Sequence, residues 1–487
     1  MSHARHLALI ARPEKLMGQD VISTDYLVVG CGQSGMGFVD SLLDVSDANI
    51  VMVDRRTAPG GHWLDAYPFV RLHLPSVTYG MGSTTLGAEH VQTYGREAGM
   101  YERATGSEIV GHFDAVMQQR FLASGRVRFL AMTEYVGDGT LRSSVTGDVT
   151  RVEVRRKTVD ATRAGGEVPA TYPAPFEVAD GVRLVTPSQL GRLQEPASGY
   201  VVVGGGKTAM DACMWLLDQG CRPDRITWVR ARDLWFNNRF YLQPGHLARH
   251  VVDGTASIVE AVARAATVDE AYEYLEERGV IFRLDPSVWP TVFRGASCSE
   301  AEMEQLRTIR NVVRLGRVRR IEPESIVLDE GSVATSPENL HVHCAAPGLP
   351  VGPARPVFAG DTITIATVTR TSIAMSSAAI ARIESLDIST AAKNRLSPPM
   401  PPIGHPVRYL QTMLSGLAAE LAWREYPSLR DWADNTRLSL TKRYPGQEDD
   451  ADSKAARARL KESAGAAFEN IARLVADVDQ AEASAGL

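Results

Sequence analysis

The chain predicts an α/β fold of two Rossmann-like strand–turn–helix units followed by a helical C-terminal region. Three observations carry this. Two segments place an apolar strand, a glycine-rich turn and a helix with an apolar face in that order. An acidic residue closes the strand after the first of them. Beyond a proline-rich break, "SPPMPPIGHP" at 397–406, residues 407–487 read as helical. The length of 487 residues suggests ~three domains, and an apolar fraction of 44% suits a globular chain.

Residues 1–23 read as an arm, with basic residues and a broken apolar stretch that makes no secretory core. The first unit is "TDYLVVGCGQSGMGFVDSLL". Residues 26–29 are the strand, Gly30-x-Gly32-x-x-Gly35 is the turn, and a helix follows from about Ser34. The next strand, "NIVMVD", ends at Asp54, near the ~20-residue spacing at which an acid reaches a ribose hydroxyl in a dinucleotide-binding unit. Arg55 follows. Then comes "RRTAPGGHWLDAYPFVRLHLPSVTYGM". Its Gly60 and Gly61 let backbone N–H groups approach a ligand, and His62-Trp63 place an aromatic ring beside them. That ring either covers a flat ligand or plugs the edge of the domain. Residues 107–130 read as a helix and then a strand.

The second unit, "YVVVGGGKTAMDAC", superficially suggests a triphosphate loop, but G-x-x-x-x-G-K-[ST] would need glycine at 201, which is Val. Gly204-x-Gly206-x-x-Ala209 fits the dinucleotide pattern instead. The first glycine makes the turn, the second admits a pyrophosphate, and Ala209 lets helix and strand touch, with free helix N–H groups facing the phosphates. Lys207 and Thr208 stand inside this turn; Lys207 either adds charge there or faces solvent. The following strand, Ile226–Val229, ends in Arg230 with Arg232 beside it. An acid there would repel a 2′-phosphate and an arginine attracts one, which favours NADPH over NADH. The alternative is two solvated surface charges. Within the same unit "SIVEAVARAATVDEAYEYLEERG" has helical spacing, as a lid or as an added helix.

On these motifs the chain resembles the class B flavin-dependent monooxygenases, within the wider group of two-dinucleotide-binding flavoproteins. The match rests on the first G-x-G-x-x-G, the acidic strand end, G-G-x-W at Gly60–Trp63 and the second turn, and spans roughly residues 24–385. The resemblance implies FAD on the first turn, held by Gly30, Gly32, Ser34, Gly35, Asp54, Arg55, Gly61, His62, Trp63 and Ser76. It implies NADPH on Gly204, Gly206, Lys207, Thr208, Ala209, Arg230 and Arg232. It further implies a discontinuous FAD domain over 24–185 and 330–395, an NADPH domain over 186–329, and the stretch "IVLDEGSVATSPENLHVHCAAPGL" at 326–349 as the strand that returns to the FAD domain. His73 stands where the flavin-containing members carry an Asn, as a hydrogen-bond donor to the flavin, a general acid/base near pH 7, or only a tie between loops. The family stretch F-x-G-x-x-x-H is absent; Val185-Thr186-Pro187 stands in its place and argues against Baeyer–Villiger chemistry. The implied activity is oxygenation of a small molecule by O2 through a flavin C4a-peroxide. The alternatives are an NADPH-dependent flavin reductase or oxidase, and a catalytically silent nucleotide-binding regulator.

Other classes find little support. A net charge of -6 gives no basic footprint for nucleic acid. No run of ~18 apolar residues predicts a membrane span, and a cytoplasmic setting is expected. Cys31, Cys213, Cys221, Cys298 and Cys344 form no C-x-x-C pair and read as small apolar residues. His341 and His343 lack partners at ligand spacing, so no metal is expected.

Overall fold

A computed structural model describes residues 21–163, 166, 168–348, 354–370, 372–401, 404–442 and 450–484. All but the last three residues of the expected arm at 1–23 lie outside the described residues. The architecture is mixed α/β, with two largely parallel sheets and a helical layer.

Ile22–Val29 is central in the first sheet because it is apolar on both faces. Val28 packs with Phe38 and Met52 under the helices, while Leu27 packs with Val51, Leu141 and Val152 on the other side. Ile50–Val53 and then Val127–Leu130 lie parallel on one flank. Val149–Asp160 and then Thr362–Thr364 lie parallel on the other. Helices Gln33–Val45 and Ile373–Glu384 pack side by side on this sheet. The helix expected after residue 107 is Gly106–Val116, opened by a capping box between Thr105 and Glu108.

The second sheet has the order Asn311–Val313, Ile226–Val229, Tyr200–Val203, Leu340–His343, Arg183–Val185, all parallel. This corrects the expected chain path. Leu340–His343 does not return to the first sheet; it pairs with Tyr200–Val203. The chain rejoins the first sheet at Thr362–Thr364. Arg183–Val185, expected to end the first unit, is the edge strand of the second. All four residues of Leu340–His343 are buried, as a strand flanked on both sides must be, and an apolar run does not say which sheet flanks it.

The helical stretch at 257–279 is two helices, Ala248–Arg264 and Val268–Glu277, split where the Thr267 side chain caps the second. They carry a three-stranded sheet of Ile281–Arg283, Leu234–Asn238 and Val292–Cys298. The C-terminal region is helical, as Pro406–Trp423, Pro427–Asn435 and Ala451–Ser484. The last helix is not a solvated tail. It packs along Ala248–Arg264, burying Ala456, Ala467 and Leu474, and its Arg459 pairs with Asp253 and Glu260.

Candidate functional site

At the first turn Gly30 has φ +99, and a Cβ on Gly35 would lie 1.9 Å from the Gly30 carbonyl oxygen. Helix and strand therefore touch there, as the motif requires. Helix Gln33–Val45 starts at Gly32 without a side-chain cap, which leaves its first N–H groups for a ligand. Ser34 is buried in its first turn. Asp54 is buried, and its carboxylate accepts from the Cys31 N–H at 2.7 Å and from the Arg56 N–H at 2.9 Å. It thus braces the turn and keeps further lone pairs. Arg55 beside it is exposed.

The Gly60-Gly61 loop folds directly onto this turn. A Cβ on Gly61, at φ +56, would lie 3.0 Å from the Gly32 Cα, so both glycines are needed for the backbones to meet. Trp63 follows in a short 3-10 helix, Gly61–Asp65; its indole N–H donates to the Tyr79 hydroxyl at 2.8 Å. His62 lies against Trp63, with ring centroids 4.9 Å apart, and burial and the nearby Arg56 lower its pKa. The Ser76 hydroxyl donates to the Glu102 carbonyl at 3.1 Å, so it is engaged in the loop itself.

The second turn repeats the pattern with a difference. Gly204 has φ +140, and its Cβ would meet the Cys344 carbonyl oxygen at 2.9 Å. Ala209 is fully buried against the sheet. Helix Lys207–Asp218 begins uncapped at Gly206, where among the described residues nothing lies within 4 Å of a built Cβ. This gives a paired test. Gly35→Ala should cost ~1–3 kcal/mol or more from overpacking. Gly206→Ala should cost under ~1 kcal/mol as an N-cap change. Thermal midpoints of the two variants read the contrast, and equal losses would contradict the open space at Gly206.

The arginines after Ile226–Val229 divide. Arg232 is exposed, and partial burial together with the charges of Arg294 and Arg317 lowers its pKa. Arg230, expected to face a 2′-phosphate, is fully buried. Its guanidinium lies over Trp228 at 4.6 Å, with Asp233 at 3.6 Å. None of its three nitrogens has a hydrogen-bond partner among the described residues, and burial lowers its pKa to about 10. Period two explains this. Ile226, Trp228 and Arg230 share one face of the strand, the face that packs under helix Lys207–Asp218. Arg230 would reach a phosphate only by turning off Trp228.

The two turns are joined by residues 61–80. Gly61 lies on the first turn and the Gly80 carbonyl accepts from Gln33 Nε2 at 2.9 Å. Between them, the Tyr67 hydroxyl donates to Asp211 Oδ2 at 2.7 Å, and Lys207 pairs with the same carboxylate. Lys207 therefore points into the junction, not to solvent. Phe69 stacks on Trp215 at 5.2 Å. Helix Lys207–Asp218 thus docks its 207, 211, 215 stripe on the first unit.

Beside this stripe lies a buried ring of four charges that sequence reasoning missed. Arg103 Nε donates to Glu97 Oε2 at 2.9 Å and its Nη2 to Glu302 Oε1 at 3.0 Å. Arg239 Nη1 donates to Glu302 Oε2 at 2.8 Å and pairs with Glu97. Burial opposes both carboxylates, but Arg239 and Arg103 outweigh it, holding Glu97 below its ordinary value and Glu302 at about 2. The ring joins residues far apart in the chain, and no local spacing marks it.

His73 sits at this junction. Its ring Nδ1 is buried without a hydrogen-bond partner among the described residues. Burial, Lys207, Arg239 and Arg103 hold its pKa well below the ordinary value, against Glu302. The ring is therefore neutral at pH 7, so of the roles expected of it a general acid titrating near pH 7 is the one its surroundings disfavour. Among the described residues the five cysteines are free, no group of three His, Cys, Asp or Glu side chains is arranged to hold a metal, and no helix is long and apolar enough to cross a membrane.

The chain belongs to the family of the uncharacterized mycobacterial protein Rv2000. That protein of Mycobacterium tuberculosis (strain ATCC 25618 / H37Rv), and Mb2023 of Mycobacterium bovis, are each 44% identical to it over 420 residues, 86% of this chain and 78% of theirs. No family model matches. Among solved structures, cyclohexanone monooxygenase from Rhodococcus sp. Phi1 bound to NADP+ is similar at 13% identity and TM-score 0.45, over 93% of this chain and 98% of that one. Polycyclic ketone monooxygenase from the thermophilic fungus Thermothelomyces thermophila is similar at 12% and 0.48, over 92% and 90%. Both likenesses are too distant to carry a function, so the reading rests on this chain's own residues.

Proposed function

We propose that the protein is an FAD- and NADPH-dependent oxidoreductase, a monooxygenase that oxygenates a small molecule with O2. The observation that carries the reading is the segment 61–80, which touches the first glycine turn and the helix that the second one opens, both helices starting without a side-chain cap. An uncapped N-terminus offers N–H groups and partial positive charge to a phosphate. The open space at Gly206 fits a bound phosphate. FAD, when bound, supplies a hydride acceptor for NADPH and a centre that activates O2.

The protein's part is placement. Gly30, Gly32, Gly35 and Asp54, with Gly61 above, form the FAD turn. Gly204, Gly206, Thr208 and Ala209 form the coenzyme turn, and Arg232 is the exposed cation for the 2′-phosphate. Trp63, tied to Tyr79, walls the FAD side. His73, neutral and with a buried free ring nitrogen, offers one hydrogen bond at the junction. Lys207 is held by Asp211 and sets the junction's charge.

The purified protein's absorbance, followed without oxygen, then with NADPH, then with oxygen admitted, tests this. The expected course is a flavin spectrum that NADPH bleaches, with slow recovery in oxygen. Immediate recovery with release of hydrogen peroxide points instead to an oxidase or reductase. A chain that takes up no FAD overturns the reading. Arg232→Ala should weaken NADPH ~10–100-fold, the loss of a charge-assisted hydrogen bond, while NADH is little changed. Equal losses for the two coenzymes, measured by titration, would remove Arg232 from the 2′-phosphate.

A further inference from the structure

His73 belongs to the first unit, yet its position is set from the second. Its backbone carbonyl accepts from Arg239 Nε at 3.2 Å and from the Ser297 hydroxyl at 3.1 Å. Arg239 follows strand Leu234–Asn238 and Ser297 lies on Val292–Cys298, neighbouring strands of the three-stranded sheet. Arg239 is 1% exposed and uses its whole fork. Besides His73 it holds Glu97 and Glu302 through Nη1 and the Ser297 carbonyl through Nη2 at 2.9 Å. The preceding residue is fixed in the same way, since the Leu72 carbonyl accepts from Arg103 Nη1 at 2.9 Å. One guanidinium therefore joins three things: the carbonyl of the candidate site residue, the strand of the other unit, and the charge ring that docks the two units.

We propose that Arg239 is a positioning residue, which fixes His73 at the junction of the two glycine turns and does so only while the second unit is docked. This rests on the reading of His73 as a site residue, and it assigns control of that residue to the unit across the interface. The planar fork is what the task requires. An ammonium is a single point of charge and cannot hold two carboxylates and two carbonyls lying in different directions.

Arg239→Lys tests the tether, because it keeps the positive charge between Glu97 and Glu302 while giving up the fork. The measurement is the ring titration of His73 in the unliganded protein carrying carbon-13 histidine, its resonance assigned by its loss in His73→Asn. The groups facing the ring are Lys207, Arg239, Arg103 and Glu302, and all keep their charge in Arg239→Lys. A freed loop should therefore let solvent reach the ring and raise its pKa by ~1 unit or more toward the ordinary ~6.5. Ser297→Ala, which removes the other donor without changing charge, should move it the same way by less. Arg96→Ala is the control. It opens the exposed Arg96–Asp218 pair at the same interface, and it should leave the titration unchanged.

An unchanged titration in folded Arg239→Lys overturns the proposal, as does a shift of equal size in Arg96→Ala, which would mean general loosening. Should Arg239→Lys not fold, an unchanged titration in Ser297→Ala overturns it. Failure of the flavin reading is separate: it shows as absent FAD uptake by the parent protein, while the titration is read on the empty chain.

Discussion

Glu302→Gln should lower the unfolding free energy by about 3–5 kcal/mol, the loss expected when one partner of a buried ion pair is removed and the others stay buried. Arg103 and Arg239 would then share Glu97 alone. The Arg103 and Arg239 side chains are only 7% and 1% exposed, so water cannot replace the missing carboxylate. Acid should act in the same direction. Glu302 titrates at about 2 in the folded chain against an ordinary 4.5, and Glu97 is also lowered. Their contribution is thus full above about pH 4.5 and is lost as pH falls towards 2. Denaturant midpoints of both proteins at pH 7, and of the parent from about pH 4.5 down to about pH 2.5, check both parts. The parent should stay docked at pH 4, and a loss under ~1 kcal/mol in Glu302→Gln would mean the ring is solvated and contributes as surface pairs do.

Arg230→Met should have the opposite sign and stabilise the empty protein by about 1–4 kcal/mol. Removing one partner of a buried pair destabilises when it strands the other, but Asp233 keeps Arg314, so the loss of Arg230 removes a desolvation penalty without stranding a carboxylate. Arg230 is fully buried, its nitrogens have no hydrogen-bond partner among the described residues, and its nearest carboxylate, Asp233, also serves Arg314 at 2.7 Å. The thermal midpoint should rise by a few degrees. A fall would show that the contacts with Trp228 and Phe236, at 4.6 and 5.9 Å, outweigh the penalty. The two arginines make a pair of opposites: Arg239 is buried with all three nitrogens hydrogen-bonded, and Arg230 is buried with no hydrogen bond among the described residues.

Much of the frame was legible, because the glycine turns are local. Gly30, Gly32, Gly35, Gly204 and Ala209 occupy close approaches that their spacing announces, and the break at 397–406 does separate the sheets from a helical region. The direction of Arg230 follows from period two as well, which groups it with Ile226 and Trp228 on the face beneath the helix. The destination of Leu340–His343 was not legible, because an apolar run is equally at home in either parallel sheet. Nor was the junction. Glu97, Arg103, Arg239 and Glu302 are ordinary charged residues until two units fold against each other, and no local pattern marks them.

The path of the chain also has a consequence for the order of assembly. Every strand of the second sheet lies between residues 183 and 343, whereas the first sheet receives its partner for Val149–Asp160 only at Thr362–Thr364. During synthesis, when domains close in the order they emerge, the later-encoded sheet has all its strands before the earlier one is complete. The nascent first unit must therefore wait, with one flank of Val149–Asp160 unpaired along residues 158–160, while its neighbour folds.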